Sequence, residues 1–110
     1  MGKGWLDFRS GAQRERDYRE FYERVFPGGI SHRRRVRARL LEMMQKKGDI
    51  TYMLLYYTAL KDLLIRRPGL SFEEGLKQVC SEVRVMKLDA GAKEVLRKVL
   101  EEDLAGQLNS

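Results

Sequence analysis

The sequence predicts an all-α fold, with four or five helices packed as a single compact domain around a central apolar helix at about residues 50–66. Three observations predict it. Apolar residues recur at helical spacing between breaks at proline and glycine, helix-capping residues stand at several of these breaks, and no segment alternates like a β-strand. The 110 residues have the usual length of one domain.

The helix boundaries follow from capping residues and glycines. A side-chain oxygen at the start of a helix accepts a hydrogen bond from a backbone N–H that the helix leaves free. The first predicted helix ends at about Phe26 and the second at Gly48, a residue type that tolerates the left-handed backbone after a helix. We divide the chain into an N-terminal arm, residues 1–9, and a helical domain, residues 10–108. The predicted helix starts are Ser10, Ser31, Asp49 or Thr51, Ser71 and Asp89.

The central helix is apolar on most sides. Thr51, Thr58 and Asp62 leave a narrow polar strip, so most other residues of 50–66 must be covered by protein. They pack inside one domain, or part of them meets the same helix of a second chain in a homodimer. Buried tyrosine hydroxyls need hydrogen-bond partners, which places the tyrosines at the edge of the core or at such an interface. The candidate interface residues are Tyr52, Tyr56 and Tyr57.

The positive charge of the chain is concentrated in the second predicted helix, residues 31–47. The whole chain has a net charge of +6. This segment holds seven basic residues against Glu42 alone, so one helix accounts for the whole excess. Three consecutive arginines in its first turn oppose the positive end of the helix dipole, and helix stability therefore does not explain them. The concentration predicts an anionic partner.

Arginine predominates in this helix, and its planar guanidinium binds two oxygens of a phosphate or carboxylate. We expect a small non-enzymatic regulatory protein that contacts nucleic-acid phosphates, or an acidic protein surface such as residues 101–103 of another copy. The alternative is a protein–protein interaction or adaptor module, homodimeric through residues 50–66. A solvated face with internal ion pairs is the simplest interpretation of the same charges. The candidate anion-binding residues are Arg33, Arg34, Arg35, Arg37, Arg39 and Lys46.

A DNA-binding helix-turn-helix is disfavoured, although the second and third predicted helices are separated by a turn of suitable length. Residues 52–60 are nearly all apolar, whereas a recognition helix needs polar side chains at base edges. Met44 is bulky where such motifs usually have a small residue. We therefore expect contacts to phosphates from the second helix rather than base reading.

The sequence offers no constellation for catalysis or metal binding. His32 is the single histidine and has no carboxylate near it in sequence, so neither a catalytic triad nor a metal cluster is expected. Cys80 lies on an apolar stripe and is interpreted as a small buried hydrophobic residue, and a lone cysteine fits a reducing compartment. The longest apolar run, residues 52–60, is too short to span a membrane. We expect a cytoplasmic protein without catalytic residues, metal, cofactor or membrane contact.

Overall fold

The computed structural model describes residues 3–108, with side chains described from Gln13 onward. All regular structure in this range is helical, which confirms the predicted all-α fold. None of the helices in this range has the length and apolarity that crossing a bilayer requires. The elements are α1 (Lys3–Val25), α2 (Gly29–Met43), a 3₁₀ turn (Lys47–Asp49), α3 (Ile50–Arg66), α4 (Phe72–Glu82) and α5 (Ala90–Leu104).

Helix α3 lies at the centre of one compact domain, as predicted. It contacts each of the other four α-helices. Its side chains Met53, Tyr56, Tyr57 and Leu60 are at most 1% exposed. They belong to one continuous core to which every α-helix contributes at least one residue. The apolar circumference of α3 is thus covered largely within the chain, while a homodimer through this helix stays a prediction.

Capping side chains start α4 and α5 at the predicted residues. The Ser71 hydroxyl accepts from the backbone N–H of Glu74 at 3.1 Å, and the Glu74 carboxylate accepts from the backbone N–H of Ser71 at 3.0 Å. The Asp89 carboxylate accepts from the backbone N–H of Ala92 at 2.8 Å. Each bond satisfies a donor that the first helical turn leaves free. Both predicted helix starts are therefore confirmed.

The boundaries of the first two helices differ from the prediction. Helix α1 begins at Lys3 rather than at Ser10, so it includes most of the segment predicted as an arm. Serine and glycine lower helix propensity inside a helix without necessarily ending it. Helix α2 begins at Gly29 rather than at Ser31, without a side-chain cap. It ends at Met43 rather than at Gly48, because Met44 adopts an extended backbone with φ −80° and ψ 144°. Lys46 consequently lies beyond α2, in the linker to the 3₁₀ turn.

Two glycines position the helices around α3. Gly29, the first residue of α2, has a φ of +77°, a left-handed conformation that suits glycine, and its N–H donates to the carbonyl of Phe26 at 2.9 Å. Gly75 lies where α4 crosses α3. A Cβ at Gly75 would stand 2.9 Å from Cδ2 of Leu64, so the absence of a side chain allows the close approach.

Candidate functional site

The first group of α2 arginines is bonded to the C-terminal part of the chain. Arg39 donates to both carboxylate oxygens of Glu102 in α5, at 2.8 and 3.0 Å. The hydrogen bonds and charge of Glu102 raise the pKa of Arg39, and Arg39 in turn lowers the pKa of Glu102. Arg35 donates from Nε to the carbonyl of Leu108 at 2.9 Å. These two arginines thus attach α2 to α5 and to the turn that follows it.

The second group consists of Arg33, Arg34 and Arg37, to which we refer as the free arginines. None of the three forms an ion pair or a side-chain hydrogen bond with the residues whose side chains are described. Arg34 and Arg37 are exposed, and Arg33 is half-buried. Lys46 is also exposed, although it lies outside α2. Half of the six predicted anion-binding residues therefore form a cationic surface on α2 itself.

The acidic segment 101–103 already has cation partners within the chain. Glu101 accepts from Arg97 at 2.9 Å, and Glu102 is held by Arg39. Asp103 is 4% exposed and bonded to Lys61. This arrangement leaves little of the segment for the arginines of a second copy, the partner that the sequence suggested.

A groove of about 850 Å³ is lined by residues of α1, α2, α3 and α4. Two of the free arginines, Arg33 and Arg37, line it from α2. Arg66 and Arg67 line it at the end of α3. Its walls and floor also include Tyr18, Phe21 and Tyr22 from α1 and Tyr52 and Leu55 from α3. The groove therefore combines guanidinium groups with aromatic and apolar surface.

The three candidate interface tyrosines have different positions. Tyr52 is 43% exposed and lines the groove. Tyr56 is buried, and its hydroxyl oxygen lies 2.8 and 2.5 Å from the carbonyl oxygens of Val83 and Met86, in the segment between α4 and α5, which are the acceptors for its one proton. Tyr57 is buried and bonded to Asp103. Among the three, Tyr52 alone presents a substantial surface to a partner, and the other two are core residues with satisfied hydroxyls.

Asp103 is the centre of a buried polar cluster formed by His32, Tyr57, Lys61 and Asp103. One carboxylate oxygen lies 2.6 Å from Nε2 of His32. The other accepts from Nζ of Lys61 at 2.7 Å and from the hydroxyl of Tyr57. Lys61 also donates to the carbonyl of Val25 at 2.5 Å. The cluster thereby ties α1, α2, α3 and α5 together through groups that are at most 4% exposed.

Hydrogen bonding assigns the proton of His32. The backbone N–H of Gly28 donates to Nδ1 at 3.2 Å, so Nδ1 acts as an acceptor and carries no proton. Nε2 therefore carries the proton and donates a hydrogen bond to Asp103, so that a neutral imidazole stands beside an ionised carboxylate. The side chains of His32 and Asp103 are both 0% exposed. This histidine–carboxylate pair is enclosed by protein and has no surface on which to meet a substrate.

Hydrogen bonds hold Asp103 in its ionised form. Burial alone would raise the pKa of Asp103, but the bonds from Lys61, Tyr57 and His32 outweigh burial and lower this pKa. Burial and the bond to Asp103 raise the pKa of Tyr57. The cluster therefore contains one buried ion pair and two neutral donors.

The lowered pKa of Asp103 predicts a loss of stability in acid. Its contribution to the free energy of unfolding is complete above the unfolded pKa of about 3.9 and is lost as pH falls toward the lower folded pKa. We expect urea denaturation to give a clearly smaller free energy of unfolding at about pH 3 than at about pH 6. The decrease should be smaller in Asp103→Asn than in Glu15→Gln, which changes an exposed carboxylate without an ion pair among the described side chains. Equal decreases in the two variants would assign the acid sensitivity to other groups.

Sequence reasoning missed the buried polar cluster because its members are far apart in the chain. His32 has no carboxylate near it in the sequence, because its partner Asp103 lies 71 residues away. A weak signal exists in Lys61, a charged residue between Leu60 and Leu63 in the helix that must be covered on most sides. Cys80 is half-buried rather than buried as expected, and it packs against the core.

The chain was compared with protein-family models, with curated proteins and with solved structures, and none of them matches it.

Proposed function

We propose that this protein is a small regulatory binding protein whose α2 contacts the phosphates of a nucleic acid. The observation that carries the proposal is the set of free arginines, which stand together on one helix without a carboxylate partner among the described side chains. Arginine guanidinium groups bind phosphate oxygens through charge-assisted hydrogen bonds. Attraction of this kind depends on salt and little on base sequence.

Some arginines of α2 stabilise the fold, and this narrows the set of arginines that can be assigned to phosphate contacts. Arg35 and Arg39 hold the C-terminal part of the chain, so changing them would disturb the fold as well as any ligand contact. Arg34 and Arg37 are exposed and are suited to substitution. We therefore assign phosphate contacts to the free arginines, with Lys46 as a more distant contributor.

The test is fluorescence anisotropy with labelled duplex DNA and labelled single-stranded oligothymidylate, at salt concentrations of about 50 and 200 mM. We expect binding at the lower salt that weakens strongly at the higher one, because released counterions drive the association. The double variant Arg34→Glu with Arg37→Glu should bind at least about tenfold more weakly at low salt, with a smaller salt dependence.

A matched control separates local contacts from net charge. Lys77→Glu with Lys93→Glu changes the net charge by the same amount at exposed positions on α4 and α5. This control should lose much less affinity than the α2 double variant. Absence of binding at low salt, or equal losses in the two double variants, would refute phosphate binding by α2.

A further inference from the structure

The groove beside the free arginines has a positive rim. Asp62 lines it but is already neutralised by Arg24 and Arg66, whose Nε atoms lie 2.7 and 2.9 Å from its oxygens. Glu82 is the one other acidic residue in the lining. Arg33 and Arg37 at α2, and Arg67 after α3, therefore leave an excess of positive charge along the groove. An anionic occupant complements this rim.

The accessible walls of the groove are mainly aromatic. Tyr18 is 64% exposed and Tyr52 is 43% exposed. The ring of Tyr18 lies 6.4 Å from that of Phe21 and 6.1 Å from that of Tyr22, which makes a row of aromatic rings along α1. Among the large aliphatic residues that line the groove, Leu55 is the one that is strongly exposed. The surface open to a ligand is therefore suited to stacking.

We propose that this groove binds single-stranded nucleic acid, with phosphates on Arg33 and Arg37 and bases against Tyr18 and Tyr52. This inference rests on the proposed function and names its substrate class. Proteins that bind single strands combine a positive groove with aromatic side chains on which bases stack, whatever their sequence. A duplex keeps its bases stacked on each other, so it can use the arginines but not the tyrosines. An acidic amphipathic helix would also match the rim, and it is distinguished from a single strand by the outcomes of the experiment below.

The experiment compares three labelled probes of equal length. They are oligothymidylate of about 12 nucleotides, an abasic oligonucleotide with the same phosphates, and a DNA duplex; single-stranded sites commonly cover about 4–16 nucleotides. We expect oligothymidylate to bind about tenfold more tightly than the abasic strand, because only the former has bases to stack. Tyr18→Ala with Tyr52→Ala should remove this advantage and leave abasic binding unchanged.

A matched control and separate outcomes distinguish this inference from the proposed function. Val85→Ala with Leu104→Ala truncates two exposed apolar side chains outside the groove lining and should retain the tenfold preference. Suppose that oligothymidylate and the abasic strand bind equally, and that both lose affinity in the Arg34→Glu, Arg37→Glu variant. This result would refute base binding in the groove and support phosphate binding by α2. Failure of all three probes to bind would overturn both.

Other occupants of the groove have their own signatures. If the occupant were an acidic helix, a peptide with leucines on one helical face and glutamates at both ends would bind the groove. Its affinity would fall in the double tyrosine variant, and oligothymidylate would not bind. A second copy would give a dimer by sedimentation that the same variant dissociates. Either result, without a preference for oligothymidylate over the abasic strand, contradicts the proposed substrate class.

Discussion

Asp103→Asn is expected to lower the free energy of unfolding by about 3–5 kcal/mol, the typical effect of leaving one charge of a buried ion pair without its partner. The substitution keeps the shape of the side chain but leaves the Lys61 ammonium without a counter-charge in a site where the lysine is 4% exposed. Asparagine has one oxygen where aspartate has two, so its NH₂ group must also face a hydrogen-bond donor of the cluster on one side. For a domain whose total stability is about 5–15 kcal/mol, this loss is a large fraction.

The double variant Asp103→Asn with Lys61→Met is the control for this prediction. It removes both charges, and a buried ion pair replaced as a unit costs far less than a broken one. We expect the double variant to be more stable than Asp103→Asn alone in urea denaturation followed by circular dichroism. If the single variant lost less than about 1 kcal/mol, or if the two substitutions were simply additive, the ion pair would not be a major element of the fold.

Leu60→Ala is expected to lower the free energy of unfolding by about 2–5 kcal/mol. Leu60 is fully buried in α3, and its Cδ1 lies 3.2 Å from the position of a Cβ on Gly75. Truncation would open a cavity beside Gly75, between α3 and α4, and the packed surroundings would relax only in part. The free energy of unfolding from urea denaturation measures the loss.

Leu55→Ala on the same helix provides the comparison. Leu55 is 44% exposed, so truncating it should change stability by about 0.5 kcal/mol or less. A large difference between the two leucines identifies the buried and accessible faces of α3 in solution. Similar losses would mean that Leu55 is covered, either by another part of the chain or by a second copy.

Local signals in the sequence were sufficient for the fold class and for part of the boundaries. The capping box at Ser71 and the cap at Asp89 involve bonds within three residues, so they can be recognised from spacing alone. The apolar circumference of α3 likewise predicted its central position. The boundaries predicted at Ser10 and Gly48 were wrong, because serine and glycine also occur within helices and linkers, where no helix begins or ends.

The candidate site could be predicted only in part, because contacts between residues distant in the chain decide which arginines are paired and which residues line the groove. The sequence does not distinguish the arginines of α2 from one another. In the structure, however, Arg39 pairs with Glu102, 63 residues away, while Arg34 and Arg37 are exposed. The groove likewise requires the packing of α1 and α4 on α3 before Tyr18 and Tyr52 line one surface. Hydrophobic periodicity predicts which face of each helix is buried, but it does not predict which other helix packs against that face.

The order of the chain gives the buried polar cluster a consequence for synthesis. Lys61, Tyr57 and His32 leave the ribosome 42, 46 and 71 residues before Asp103. Until that carboxylate emerges, transfer of the lysine ammonium out of water has no counter-charge to offset it. Packing of Lys61 into the core therefore becomes favourable only once α5 is present to supply the carboxylate.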